Sequence, residues 1–323
     1  MTGSTSSHLL SRRHLFFFCL FFCLSLGLLN ACAGTTALRQ DIQFERHGDA
    51  YNAENGQKVS LAAFVEALSQ HRHIYVGERH REALSHRTQR DVIELLHQAG
   101  VKMAIAVEWL PLTASEDLQR YIAGNIALNE MVERVEWRRY WGHNFEAYRG
   151  LFEFAREHNI PIWPLNAPKG MAAKIARGQT KTLSDAEKSY LTTLRTGTDA
   201  HRAYFFKLMA KVSHAHGHGH HGRGPSLENY YQAQLYRDEF MAEQLAKQLR
   251  NDSEGRIAIV FAGRAHVAHG LGIPQRAAQL GFPGFSIVLP VSAVFTEETA
   301  GTFGPNQYPQ KRSDFLWHPA RSD

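Results

Sequence analysis

Three short apolar runs set the frame of this chain: His73-Ile74-Tyr75-Val76, Met103-Ala104-Ile105-Ala106-Val107 and Ile257-Ala258-Ile259-Val260-Phe261-Ala262. They are continuous, not alternating, and rich in Ile and Val, which predicts strands buried on both faces of a parallel sheet. Between them the spacing becomes helical. Ser60 caps a stretch with Leu61, Phe64, Val65 and Leu68 on one face, and residues 86 to 99 repeat that period up to Gly100. Ile160-Pro161-Ile162-Trp163-Pro164-Leu165 reads as a strand whose prolines confine it to an edge, and Phe285 to Leu289 as the last strand. The expected fold is α/β: a mainly parallel β-sheet flanked by helices, with an inserted α-helical subdomain.

Two long segments carry the helical insertions, at about 113–158 and 184–250, within a domain spanning 55–295. Thr113-x-x-Glu116 and Ser184-x-x-Glu187 both read as capping boxes. The first insertion is strongly aromatic, with Tyr121, Trp137, Tyr140, Trp141, Phe145, Tyr148, Phe152 and Phe154. Such a segment either packs as a layer on the sheet or lines a pocket for a flat ligand. Residues 32–54 are expected to form a tether and an N-terminal hairpin, pairing Ile42–Arg46 with Asp49–Tyr51. Residues 296–323 are polar and contain prolines, and are expected to be a loose tail.

The predicted strands end on polar residues. The first runs into Gly77-Glu78-Arg79-His80, the 257–262 run into Gly263-Arg264-Ala265-His266, and the 103–107 run into Glu108. Ligands of open parallel sheets bind outside the carboxyl ends of the strands. Glu78, His80, Glu108 and His266 are therefore the candidate site, each glycine letting the chain turn off its strand. Each residue alone also suits a helix cap or a structural hydrogen bond. Two imidazoles and one carboxylate form a normal set for a divalent ion with an open position for water, the remaining carboxylate serving as base.

Composition narrows the field. With 44% hydrophobic and 21% charged residues the chain is an ordinary globular sequence. Its formal charge is +5, without a lysine or arginine block, so nucleic acid is set aside as a partner. Arg12-Arg13 precedes an apolar run from Leu15 to Leu29 that is short for a membrane span. The run ends in Leu29-Asn30-Ala31-Cys32, which resembles a bacterial lipobox. That resemblance implies a signal peptide over 1–31, cleavage before Cys32, and lipidation (palmitate included) of its thiol. Ala33 follows, with no acid there to retain the protein at the inner membrane, so the expected location is the outer membrane. The remaining cysteines, Cys19 and Cys23, lie within the apolar run. The domain beyond Cys32 then has neither thiol catalysis nor cysteine metal sites.

His214, His216, His218, His220 and His221 form a glycine-spaced run that suits nickel, copper or zinc, or is a low-complexity loop without such a role. The motifs His-Glu-x-x-His, Gly-x-Ser-x-Gly and Walker A are absent. Gly217, Gly219 and Gly222 match a dinucleotide fingerprint in form only, since no strand precedes them.

Gly77-Glu78-Arg79-His80 with His86 and Gln89, Glu108, Leu165-Asn166-Ala167-Pro168, Gln234 with Asp238, Met241-Ala242, and Gly263-Arg264-Ala265-His266 together resemble the ChaN family of haem-binding lipoproteins. The wider clan includes the Tiki proteases and erythromycin esterases. The resemblance covers about residues 55 to 290. It implies haem as ligand, held through a tyrosine, and a role in haem or iron uptake alongside a haem receptor or transporter. A second copy of the chain is a further expected partner. Tyr140, Tyr148, Tyr204, Tyr230 and Tyr231 are all axial candidates, and no motif chooses among them. Arg138, Arg139 and Arg149 would supply charge near the propionates. His86, Asn166, Gln234 and Asp238 are expected to support the cluster. The alternative the clan implies is a metal-dependent hydrolase built on the same cluster.

Overall fold

The apolar runs form the centre of one eight-stranded sheet. In this computed structural model the described residues are 48–215, 226–291 and 313–320, with 211–215 described by backbone alone. The described residues begin with β1 (Gly48–Asn52) and β2 (Lys58–Val59), then α1 (Leu61–Ser69), β3 (His73–Glu78), α2 (Ala83–Gln98) and β4 (Met103–Pro111). Four helices follow: α3 (Ser115–Ile122), α4 (Leu128–Arg134), α5 (Trp137–Tyr140) and α6 (Glu146–Glu157). Next come β5 (Ile162–Asn166), α7 (Met171–Ala176), α8 (Asp185–Thr193), α9 (Asp199–Ala215) and α10 (Leu227–Asn251). The chain returns through β6 (Ile257–Gly263), α11 (Arg264–Val267), α12 (Ile273–Gln279), β7 (Phe285–Pro290) and β8 (Phe315–Pro319).

The strand order is β2-β1-β8-β7-β3-β6-β4-β5. From β8 to β5 every pairing is parallel, and only β1 runs antiparallel to its neighbours. Strands β3, β4 and β6 are buried at every position, which is why their sequences do not alternate. β5 does sit at the edge, where Pro164 costs no ladder bond to an outer neighbour. One face of the sheet carries Tyr75, Ala104, Ala106, Val260 and Leu289 against Met241, Leu245 and Leu249 of α10. On the opposite face Trp109 stacks on Phe261 at 6.0 Å.

Local signals act largely as written. Ser60 and Ser184 accept the expected backbone N–H groups, and Ser184 with Glu187 closes a full capping box. Gly100 takes φ +73°, the left-handed turn that ends α2. Thr113 does not cap: Leu112–Ala114 forms a 3-10 turn, and α3 starts at Ser115 without a side-chain cap.

Two expectations at the ends need correcting. β1 pairs with β2 across the Asn55-Gly56 turn, so the partner of the Asp49–Tyr51 stretch is Lys58–Val59. Ile42–Arg46 lies outside the described residues. The 296–323 stretch is not a loose tail throughout. Phe315–Pro319 inserts as β8 between β1 and β7. It is held there because Trp317 packs on Phe64 at 5.3 Å and its Nε1 donates to Asp91 of α2 at 2.8 Å. Among the described residues no helix is long and apolar enough to cross a membrane.

Candidate functional site

The four strand-end residues come together at the carboxyl ends of β3, β4 and β6. Glu78 closes β3 and pairs in register with Gly263 of β6. Glu108 lies where β4 leaves its ladder with β6, in the stretch where its register with β5 also shifts. Its Oε2 accepts the Gly263 N–H at 2.6 Å, filling the place of the lost ladder bond. His80 stands in the turn after β3, and His266 in α11 directly after β6.

The glycines serve a different purpose from the one expected. Gly263 has φ −54°, which any residue adopts. What it provides is space: a Cβ there would come 2.9 Å from His80 Cε1 and 3.4 Å from Glu108 Oε2. Gly77 lies inside β3, where a Cβ would come 2.5 Å from Leu289 Cδ2 and 3.0 Å from Val267 Cγ2. Close packing, not a turn, requires both.

Each acid is saturated. Glu78 accepts from His80 Nδ1 at 2.7 Å, from Gln89 Nε2 at 2.5 Å and from Trp109 Nε1 at 3.3 Å. Glu108 is bonded by Arg237, with His266 Nε2 at 3.4 Å. Burial alone would raise the Glu108 pKa, but the His266 and Arg237 cations outweigh it and hold the carboxyl well below its usual range. His266 Nδ1 lies 2.5 Å from Asp238 Oδ1, and the Gln234 amide is 2.9 Å from the same nitrogen. Burial would lower the His266 pKa, but Glu108 and Asp238 raise it to about 9. His80 is raised as well: burial opposes this, and Glu78 and Glu108 prevail.

This electrostatic pattern does not suit the metallohydrolase reading. A metal ligand or general base needs an imidazole lone pair. Here carboxylates raise both imidazole pKa values, that of His266 to about 9, and three of the ring nitrogens face carboxylates. Among the described residues no three His, Cys, Asp or Glu side chains are grouped to hold a metal ion. The cluster is a hydrogen-bonded network between strands and helices.

The supporting residues divide. Gln234 and Asp238, one turn apart on α10, do reach His266. His86 sits beside the cluster, its ring edge-on to Tyr148 at 4.3 Å and both ring nitrogens buried without a hydrogen-bond partner. Asn166 ends β5 at the sheet edge, opposite Pro111, and makes no described bond to the cluster. Of the histidine run, position 214 lies in the last turn of α9 and 216, 218, 220 and 221 lie outside the described residues, as does Cys32.

Sequence reasoning missed several participants. Arg237 and Trp109 each flank a residue already singled out. His201, fully buried, lies 3.5 Å from Asp238 on the side away from His266. Trp141 and His143 stand over His80, with ring centroids 4.7 Å and 5.4 Å away. Adjacency to Glu108 and Asp238 was the available signal for the first pair. Trp141 was named only as one of a run of aromatics, and His201 and His143 had no signal, because only the folded chain brings them there.

The tyrosines are sorted by their surroundings. Tyr148 is buried, its hydroxyl accepting from Trp141 Nε1 at 2.9 Å and donating to the His80 carbonyl at 3.3 Å. Burial and the nearby Glu78 push its pKa well up, against ionisation. Tyr204 and Tyr231 are buried in the helical layer, and burial raises Tyr231 to about 12. Tyr230 is exposed at the start of α10. Tyr140 is half-buried, with Arg139, itself paired with Glu136, at 5.6 Å and Lys169 at 5.3 Å from its ring centroid.

With this arrangement in view, comparison with known proteins is informative. Residues 64–277 match the family described as haem-binding uptake, Tiki superfamily, ChaN. The chain belongs to the ChaN family. Among solved structures it is similar to ChaN of Campylobacter jejuni, described as binding haem cofacially, at 16% identity and a TM-score of 0.63, over 86% of this chain and 98% of that one. That likeness establishes the ChaN fold for the sheet and its helices. An erythromycin esterase in its open conformation is more distant, at 11% identity and TM-score 0.46 over 84% of this chain and 83% of that one. The C-terminal region of Pasteurella multocida toxin follows at 12% identity and TM-score 0.43, over 73% of this chain and 25% of that one. Neither bears on function. No curated protein matches the sequence.

Proposed function

We propose that this chain binds haem at the carboxyl end of its sheet, with the Tyr140 oxygen as the ligand to iron. Membership of a haem-binding family supplies the ligand. The observation that selects the residue is the setting of Tyr140: a partly exposed ring, next to Trp141, with Lys169 packed against it. A partly exposed tyrosine oxygen can meet a bound ligand, and oxygen donation suits ferric haem. Trp141, next in sequence, adds a flat aromatic wall above His80. Bound haem supplies iron, with its own redox and ligand chemistry. The protein supplies an oxygen donor, an aromatic wall and positive charge.

The wider setting belongs to the same reading. A lipid on Cys32 would hold the protein at the outer membrane, where acyl chains contribute about 0.8 kcal/mol per buried methylene. From there it would serve haem or iron uptake, passing haem to or from a receptor or transporter. The same reading includes a second copy of the chain as a partner.

The test is titration of haemin into the purified domain, followed through the Soret band. Tyr140→Phe is expected to abolish the tyrosinate-ligated spectrum, and Tyr230→Phe to leave it unchanged. The reverse pattern would move the ligand to α10. Absence of any haemin complex with the parent would refute the reading altogether.

A further inference from the structure

The opposite end of the sheet carries a pair of histidines that haem binding does not use. His97 lies in the last turn of α2, and His158 directly follows α6. Both helices lead into strands, β4 from Met103 and β5 from Ile162, so the pair stands at the amino ends of the strands, away from the crevice. The two imidazole rings are 4.0 Å apart, centre to centre, and tilted by 38°. The buried Phe154 ring meets both edge-on, at 5.5 Å from His97 and 4.3 Å from His158, and holds them side by side. Both histidines are partly exposed, and among the described residues no protein group hydrogen-bonds to either ring. His266 is the opposite case, its ring nitrogens being taken by Asp238 and Glu108.

Two adjacent imidazoles without protein partners are natural donors to a metal. Late first-row divalent ions accept neutral imidazole nitrogen at about 2.0–2.1 Å, so one ion can hold a nitrogen from each ring. Three further features favour this. Burial and the neighbouring His158 lower the His97 pKa, which keeps a lone pair available. Each ring sits at the carboxyl end of a helix, where the last carbonyls favour positive charge. Exposed Glu157 brings a carboxylate charge close to His97. We infer that His97 and His158 form a two-histidine site for a divalent nickel, copper or zinc ion, with water in the remaining positions. Among the described residues no third His, Cys, Asp or Glu is grouped with them, so the site is open and its affinity modest. An ion there ties the end of α2 to the end of α6, and it binds independently of haem.

The test uses the full chain without haem, with nickel chloride as the probe and the melting temperature as the readout. An ion that joins α2 to α6 binds the folded state selectively and stabilises it. The histidines of 214–221 are contiguous in sequence and can take metal in the unfolded chain as well, which cancels such a gain. At about 1 mM nickel the parent is expected to melt about 2 °C or more higher. His97→Gln and His158→Gln should each abolish that rise, and the double variant His218→Gln/His220→Gln should keep it. Magnesium chloride, whose ion prefers oxygen ligands, should produce none. No rise in the parent overturns the inference, as does a rise that survives in His97→Gln or His158→Gln, one lost in the double variant, or an equal rise with magnesium. A nickel-soaked crystal gives a readout that needs no variant: the anomalous difference map should peak between the two rings, and a map without that peak overturns the site.

Discussion

The two Gly-x-x-His stretches look like copies in the sequence and behave as opposites in the fold. Around His266 everything is closed: the ring is buried between Glu108 and Asp238, and Arg237 and Gln234 complete the network. Around His80 the site is open, with one acid behind the ring and an aromatic mouth in front. Register explains the difference. Gly77 pairs with Ala262, and Glu78 with Gly263, so the motifs are one residue out of step. Neighbouring residues in a strand face opposite sides of the sheet, so the two glycines face opposite ways. The His80 ring lies over Gly263, while Gly77 packs against Leu289 and Val267. A repeated motif at two strand ends therefore need not repeat an environment: one half is closed into the sheet, and the other opens to the surface.

The comparison breaks first on stability. His266→Ala should cost about 3–5 kcal/mol, because it leaves Asp238 buried without its main partner and takes a cation from Glu108. His80→Ala should cost about 1 kcal/mol, since Glu78 keeps Gln89 and Trp109 as donors. Denaturant melts of the two variants would measure this, and equal costs would abolish the distinction.

A pH titration of stability sharpens the same contrast. The His266 pKa is raised from 6.5 to about 9 by Glu108 and Asp238, against the effect of burial. Between those values the folded state keeps a proton that the unfolded chain has released. The contribution is therefore complete below about pH 6.5 and is lost as pH rises through about 9, on the order of 3 kcal/mol in all. Thermal melts between these limits should fall with pH in the parent and flatten in His266→Gln. A slope unchanged by that substitution would locate the titration elsewhere.

Glycine substitutions give the smallest effects and separate the two sides most finely. Gly77→Ala should cost about 1–3 kcal/mol through overpacking on Leu289 and leave haemin affinity alone. Gly263→Ala presses on the His80 ring and should weaken haemin binding more than it lowers stability. Affinity and melting temperature measured together would show whether the two effects part.

Much of this was legible in the chain. The core strands were, because burial on both faces leaves an unbroken apolar run. The four strand-end residues followed from their place after those runs, and Gln234 and Asp238 from the family resemblance. β8 was not legible: Phe315-Leu316-Trp317-His318-Pro319 is short and lies in polar surroundings, and its place depends on pairing with β1 and β7 and on Asp91, far away in sequence. The contrast between His80 and His266 was hidden for a similar reason. It is created by the α5–α6 segment, which brings Trp141 and His143 over one ring, and by α10, which closes over the other. The five tyrosines could not be ranked before Lys169 was seen to lie against Tyr140.

A crystal structure of the ferric haem complex tests the central claim most directly. It should show iron bonded to the Tyr140 oxygen, haem seated against Trp141 at the His80 mouth, and His266 still enclosed between Glu108 and Asp238. Iron bound by His266 or Tyr230, or haem seated away from the His80 mouth, would contradict the account.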